Sequence, residues 1–369
     1  MVIAKAAPAA CGSELRVPNV LFRIWTGVCC PPLLDFVSLL VAVLQLRPER
    51  IEYLLTPRMP ANLTALRGFD GEVGRCFAAL GNVNLVRLNF STGSPLRLAT
   101  SGFHAWDSGF WANGAPRIKF VALTDVLRAY ALHTFGGMYL DGDAFVLNGE
   151  AFQDWRRCPA VLSAESHGWW AADPHVDETD GRVQMPEAES DARNGSHAST
   201  MNSAVMLSVA NSSFSQAWFN VVSKWDGRPG GAHDVCCYWP ARFEAANPAI
   251  AHGAIDFRSF PLYLSNLSSL PTASVEAALK MRPPPKEPYS AWTSIARAMV
   301  KPNRHHGSTS VVHLSNSRIR SPTGAYEAVM AEALRLAVAK RGGHNALAPS
   351  ERMCVATAEN ALASSQIRG

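Results

Sequence analysis

Asp141 and Asp143 stand one residue apart with Gly142 between them, after the apolar run Met138-Tyr139-Leu140 and before Phe145-Val146-Leu147. Two carboxylates this close cannot both leave water without a cation, because each desolvated charge costs roughly several kcal/mol. A divalent ion removes that penalty. Hard oxygen donors select Mg²⁺ or Mn²⁺, which keep coordination positions open for substrate phosphates. Upstream, Asp125 and Arg128 are spaced so that a helix presents an acceptor and a fork of donors on one face. The combination suits a sugar diphosphate, with an ion on the paired carboxylates and sugar hydroxyls on Asp125 and Arg128.

The elements that must position these groups follow from the pattern around them. Apolar residues at Val121, Leu123, Leu127, Ala131 and Phe135 recur at helical spacing, and Gly136-Gly137 offers the positive φ of a helix stop. A helix over about 122–135 is therefore predicted. The β-formers on both sides of Asp141-Gly142-Asp143 predict a buried strand with the aspartates at its exposed end.

The order Thr124-Asp125-x-x-Arg128, then Gly136-Gly137-x-Tyr139-Leu140-Asp141-x-Asp143, resembles the DXD sugar-binding region of retaining glycosyltransferases. That family includes the initiation-specific α-1,6-mannosyltransferases, the α-1,4-galactosyltransferases and the large glucosylating toxins. The resemblance implies a GT-A fold, a nucleotide-sugar donor such as a UDP-hexose or GDP-mannose, a glycan or glycolipid acceptor, and transfer with retention at the anomeric carbon. It also implies Mn²⁺ or Mg²⁺ held through Asp143, with Asp141 on the ribose or a metal-bound water and Tyr139 lining the donor site. An opening strand of R-I-W-x-G type is shared with the family, where the Trp packs on the nucleotide base. This makes Trp25 and Thr26 donor-binding candidates. A late V-x-H segment closes over the diphosphate in the relatives, so His313 becomes a metal or phosphate contact. The Ser-Trp pair that usually follows is replaced by Asn316-Ser317-Arg318. Asn202, on a strand that matches the family's Asn-small-apolar strand, is the acceptor-side candidate by resemblance.

Each of these assignments has a plainer reading from the residues alone. Trp25 ends a core strand and can simply be core, and His313 can be a core histidine bonded to backbone. On the acceptor side, His167 opens a polar stretch after Glu165, with Trp169 and Trp170, that reads as a flap over the acceptor or as a surface insertion. His233-Asp234 can orient an acceptor hydroxyl or sit solvated in a Gly-rich turn.

Along the chain, strands at Val20–Trp25, 51–55 and 83–88 alternate with a helix at Leu33–Leu46, and further strands are expected at 160–164, 201–207, 256–264 and 310–316. This alternation predicts an α/β fold of GT-A type, a mostly parallel sheet with helices on both faces. Ligands bind beyond the carboxyl ends of such strands. The aromatic span 102–116 would then face the site or cover a sheet edge. The expected layout is a disordered or leader segment over 1–16, one glycosyltransferase domain over 17–341 with an inserted loop at 165–200, and a tail over 342–369.

The 369 residues are 48% hydrophobic and 17% charged, ample for one large α/β domain. A net charge of +4 from scattered residues argues against nucleic acid as a partner. Eight cysteines are too few for a disulfide scaffold and show no zinc spacing. The adjacent pairs Cys29-Cys30 and Cys236-Cys237 leave two readings open, buried thiols or long-range disulfides formed in an oxidising lumen. Sequons at Asn62, Asn89, Asn194, Asn211 and Asn266 point weakly to the secretory pathway, while the first residues carry no apolar leader. Leu33–Leu46 contains Asp35 and falls short of the ~20 residues a membrane span requires. A Golgi lumen is expected if a leader has been lost, and the cytoplasm otherwise.

The sequence thus points to a metal-dependent retaining hexosyltransferase. Two alternatives remain open at this level. Leu140-Asp141-Gly142-Asp143 also opens the signature of haloacid-dehalogenase-like phosphatases, although Phe145 stands where they carry Thr or Val. The other is a catalytically inactive sugar-binding protein of the same fold.

Overall fold

A computed structural model describes residues 11–12, 14, 16–26, 31–55, 62–91, 93–101, 117–165, 201–225, 235–236, 239–259, 311–313 and 325–366. Among them nine strands form one sheet in the order β3-β2-β1-β4-β7-β6-β8-β9-β5. The strands are β1 (Val20–Trp25), β2 (Arg50–Leu55), β3 (Val83–Arg87), β4 (Gly137–Leu140), β5 (Ala144–Val146), β6 (Ala160–Glu165), β7 (Met201–Ser208), β8 (Ala251–Ser259) and β9 (Val311–His313). The pairings make all of them parallel except β5 and β7. The expectation of a mostly parallel sheet therefore holds. The carboxyl ends of seven strands share one rim, together with the first residues of β5 and β7.

Helices cover both faces. On one lie α1 (Leu33–Leu46), α2 (Gly68–Leu80), α5 (Gly149–Trp155), α8 (Ala325–Lys340) and α9 (Pro349–Gln366), packed on Leu21, Ile51, Tyr53, Met138, Leu140 and Phe145. On the other lie α4 (Arg117–Phe135), α6 (Ser213–Val222) and α7 (Trp239–Ala246), packed on Phe22, Ile24, Leu54, Tyr139, Leu162 and Met206. A short helix, α3 (Pro95–Ala99), joins this second core through Leu96. The alternation along β1 and β4 assigns successive residues to opposite cores.

One constraint shapes the sheet. Three residues join β4 to β5, yet the two strands lie five positions apart in the order. A flat sheet would separate them by about 24 Å, whereas the peptide steps from Leu140 to Ala144 reach at most about 14 Å. The sheet must curl until its β9-β5 edge returns beside β4, and Asp141, Gly142 and Asp143 bridge that gap.

Several elements depart from the sequence reading. Helix α4 begins at Arg117 rather than near Ala122, because residues 117–121 contain neither Gly nor Pro to stop it. Phe135, assigned to the buried stripe, is 52% exposed on the last turn of the helix, although its ring stacks on Phe22 of β1. Strand β8 starts at Ala251, five residues before the expected 256, directly after the turn at 248–250. The segment 342–369 is not a bare tail, since α9 buries Cys354, Val355, Ala358 and Leu362 in the same core as α1. Cys11, within the stretch read as disordered, is bonded to Cys158, and Cys76 is bonded to Cys354. None of these four belongs to the adjacent pairs, and of those pairs Cys236 is a buried thiol, the first of the two readings left open for them. Cys29, Cys30 and Cys237 lie outside the described residues, as do the span 102–116, the loop 166–200 with His167, Trp169 and Trp170, the pair His233-Asp234, residues 260–310, and Asn316-Ser317-Arg318.

The Cys76–Cys354 bond closes a loop of 278 residues, for which chain entropy alone gives about 6 kcal/mol of stabilisation, with native disulfides typically worth about 2–5 kcal/mol. Cys76→Ala/Cys354→Ala is therefore expected to lower the unfolding free energy by about 2–5 kcal/mol, measured by urea denaturation without reductant. An unchanged midpoint would mean that α9 is held by its apolar face alone.

Candidate active site

The chain leaves β4 at Leu140 and turns within four residues. Ala144 N–H donates to Asp141 O at 3.0 Å, closing a β-turn with Gly142 and Asp143 at its centre. Asp141 N–H donates to Ala204 O of β7 at 2.7 Å, which fixes the first carboxylate to the middle of the sheet. The register Ala144↔His313 then sets the last residue of β9 opposite the start of β5. Strand pairing therefore brings together three residues that sequence distance separates.

His313 Nε2 lies 3.0 Å from Asp143 Oδ1 and 3.9 Å from Asp141 Oδ2. The donor atoms of the three residues all fall within 4.8 Å of one another. Around an octahedral ion with bonds of ~2.1 Å, neighbouring donors stand about 3.0 Å apart and opposite ones about 4.2 Å. Both observed distances fall in this interval. The donor set, two carboxylates and one imidazole, fits a divalent cation, and each side chain keeps some exposure, 22%, 17% and 10% for Asp141, Asp143 and His313. A fully enclosed site would leave no position for substrate.

Asp141 divides its two oxygens between two tasks. Oδ1 faces the protein, accepting a hydrogen bond from Tyr139 O–H and lying 3.4 Å from Arg128 Nη2; Oδ2 faces His313. Arg128, 5% exposed on α4, pairs through the same Nη2 with Asp125 at 3.0 Å and donates from Nη1 to both O and Oγ of Ser203 at 2.7 Å. Its guanidinium also lies 4.8 Å above the Tyr139 ring centre. Asp125 and Arg128 thus meet on one helix face as expected, but as the floor beneath Asp141, with both Nη atoms of Arg128 engaged by protein groups.

The electrostatics follow from this sharing. Burial works against the charge on Arg128, but Asp141, Tyr139 and Asp125 together outweigh it and hold the proton in place. Burial pushes Asp125 up to about 6 despite Arg128 beside it and a hydrogen bond from the Cys236 thiol, with the negative charge of Asp141 adding to the rise. One cation serves two carboxylates, and the deeper of them is left undercompensated. Tyr139 is raised by burial and stays a donor to Asp141.

Trp25 ends β1 on the same rim and Thr26 follows it; both are half-buried, with Trp25 packed against the core of the α1 face. Asn202 lies on the rim opposite Ser163, next to Ser203. His167 lies outside the described residues. Sequence reasoning missed Ser203, the Cys236 thiol, and a group beneath the turn comprising Arg23, Ser38, Asp35 and Tyr53. A signal was present for two of these, since Arg23 and Asp35 are charged residues inside apolar runs and both are buried, at 0% and 3%.

No protein-family model and no curated protein matches the sequence. Among solved structures the chain is similar to the PaToxG glycosyltransferase, at 12% identity over 85% of this chain and 86% of that one, with a TM-score of 0.37. It is also similar to the galactosyltransferase LgtC in complex with donor and acceptor sugar analogs, at 12% identity over 86% and 95%, with a TM-score of 0.34. At these scores the weight of the functional reading falls on the site itself.

The elevated Asp125 value has a consequence for stability in the metal-free protein. Between the ordinary value of 3.8 and about 6 the folded chain binds more protons than the unfolded one, so this group's contribution to stability falls as pH rises through that window. Relative to Asp125→Asn, the wild type should lose up to about 3 kcal/mol between pH 4 and pH 7, read from urea midpoints with chelator present. Parallel pH curves for the two proteins would show that Asp125 is not held in a low-dielectric site.

Proposed function

We propose that this chain is a metal-dependent glycosyltransferase of GT-A type that moves a hexose from a nucleotide-sugar donor to a glycan or glycolipid acceptor with retention of configuration. The observation that carries the proposal is the convergence of Asp141, Asp143 and His313 at the carboxyl rim of a mostly parallel sheet, with the Asp125–Arg128 pair directly beneath. The rim is where open α/β sheets take their ligands. A phosphatase built on the same Asp-x-Asp would leave the contact of Arg128 with Asp141 without a role.

In this reading Asp141, Asp143 and His313 hold Mn²⁺ or Mg²⁺, and the imidazole favours Mn²⁺. When bound, the ion supplies positive charge against the departing nucleotide diphosphate, an electrostatic contribution that is often the largest in such reactions. Tyr139 and Arg128 fix the orientation of Asp141, so its free oxygen is presented before the donor arrives. Trp25 and Thr26 flank the nucleotide, the Asp125–Arg128 floor faces the sugar, and Asn202 and His167 belong to the acceptor side. Attack on the face from which the diphosphate leaves requires no separate protein base. The sugar is selected by hydroxyl contacts to buried polar groups, where a missing partner is costly.

Two disulfides and exposed sequons at Asn62, Asn89 and Asn211 support an oxidising lumen, the Golgi among them, as the compartment.

The purified protein should release nucleotide diphosphate from a UDP-hexose or GDP-mannose in the presence of Mn²⁺, and chelation should abolish the release. Asp143→Ala should reduce the rate at least ~10²-fold with the melting temperature of the metal-free protein preserved. Substantial Mn²⁺-dependent turnover by a folded Asp143→Ala protein would contradict the assignment.

A further inference from the structure

Beneath the Asp141–Ala144 turn, on the face covered by α1, lies a polar group that the proposed reaction does not use. Arg23 belongs to the otherwise apolar strand β1 and is fully buried. A guanidinium in such a place is costly unless its donors are engaged. Nη1 donates to the backbone carbonyl of Asp141, and Nη2 donates to Ser38 Oγ at 2.9 Å. Ser38 Oγ in turn donates to the carbonyl of Ala144 at 2.5 Å. The first and last carbonyls of the turn are thus tied to one cation, the second through a single hydroxyl. At the centre, a Cβ on Gly142 would stand 2.2 Å from Asp35 Oδ2 and 2.9 Å from its Cγ. Asp35 cannot readily move aside, since it is 3% exposed and its Oδ1 accepts from Tyr53 O–H at 2.6 Å. The turn is pinned at both ends and wedged in the middle.

We propose that Ser38, Arg23 and Asp35 are positioning residues that set the separation of the Asp141 and Asp143 side chains, and through it the affinity of the site for its divalent ion. The inference rests on the metal reading above. Side chains at the first and third positions of a β-turn diverge or converge with small changes in its backbone. A chelating pair therefore needs the backbone fixed from below. Partners outside the ligand set commonly change metal affinity by about 10–100-fold when removed. None of the three touches the ion, so their effect must appear in binding rather than in chemistry.

The test is Mn²⁺ titration of the full chain, followed by the electron paramagnetic resonance signal of free Mn²⁺, with no donor or acceptor present. Wild type should bind one ion and Asp143→Ala none. Ser38→Ala should bind at least ~10-fold more weakly; because it leaves Arg23 Nη2 and the Ala144 carbonyl without this hydroxyl, its metal-free melting temperature should fall, with the protein still folded at the temperature of the titration. Gly142→Ala, whose added methyl would push the turn away from Asp35, should be weakened as well. The two single variants disturb different contacts, so misfolding of one leaves the other to decide. If wild type binds and Asp143→Ala does not, while folded Ser38→Ala and Gly142→Ala bind as wild type does, the positioning role is wrong and the metal reading stands. If wild type binds no ion, both fail.

Discussion

The structure is organised around keeping two carboxylates a few ångströms apart at the edge of a low-dielectric core. Asp141 and Asp143 repel each other and resist burial, so the surrounding protein supplies positive charge and donors from below while leaving one side open. Arg128 and Tyr139 engage one oxygen of Asp141 from the α4 face, and Arg23 takes its carbonyl from the α1 face. Each of these cations is itself buried and engages local acceptors through both of its Nη atoms. The arrangement sets donors and positive charge against the inner side of the pair and leaves its other side open.

The curl of the sheet serves the same requirement. Because the Asp141–Asp143 bridge is short, the β9-β5 edge must return to β4, and with it comes His313. Helices α8 and α9 then close the α1 face behind that edge, and the Cys76–Cys354 bond secures α9 to α2. The chain's last helix is thus part of what keeps the first helix, and therefore Asp35 and Ser38, in register with the turn.

What the sequence revealed was local. The α4 stop at Gly136, with φ 64, was legible because only glycine tolerates that conformation cheaply beside the backbone of Ala210. Helix α1 showed as an apolar run and β9 as a short β-branched run ending in histidine. The clustering of Asp125, Arg128, Asp141, Asp143 and His313 was reached through spacing and resemblance together. The disulfides, the curl, and the packing of α9 are decided by contacts hundreds of residues apart, on which periodicity has no bearing. Arg23 and Asp35 lay between these cases: Asp35 served only to argue against a membrane span, when a charge inside an apolar run was itself the sign of a buried partner.

The central claim is that Asp141, Asp143 and His313 form one divalent-cation site. Crystals grown with Mn²⁺ and measured at the manganese absorption edge test it most directly. The account expects a single strong anomalous peak about 2.0–2.3 Å from a carboxylate oxygen of each aspartate and from His313 Nε2. No peak there at saturating Mn²⁺, or a peak held by other residues while the three side chains keep their positions, would contradict it.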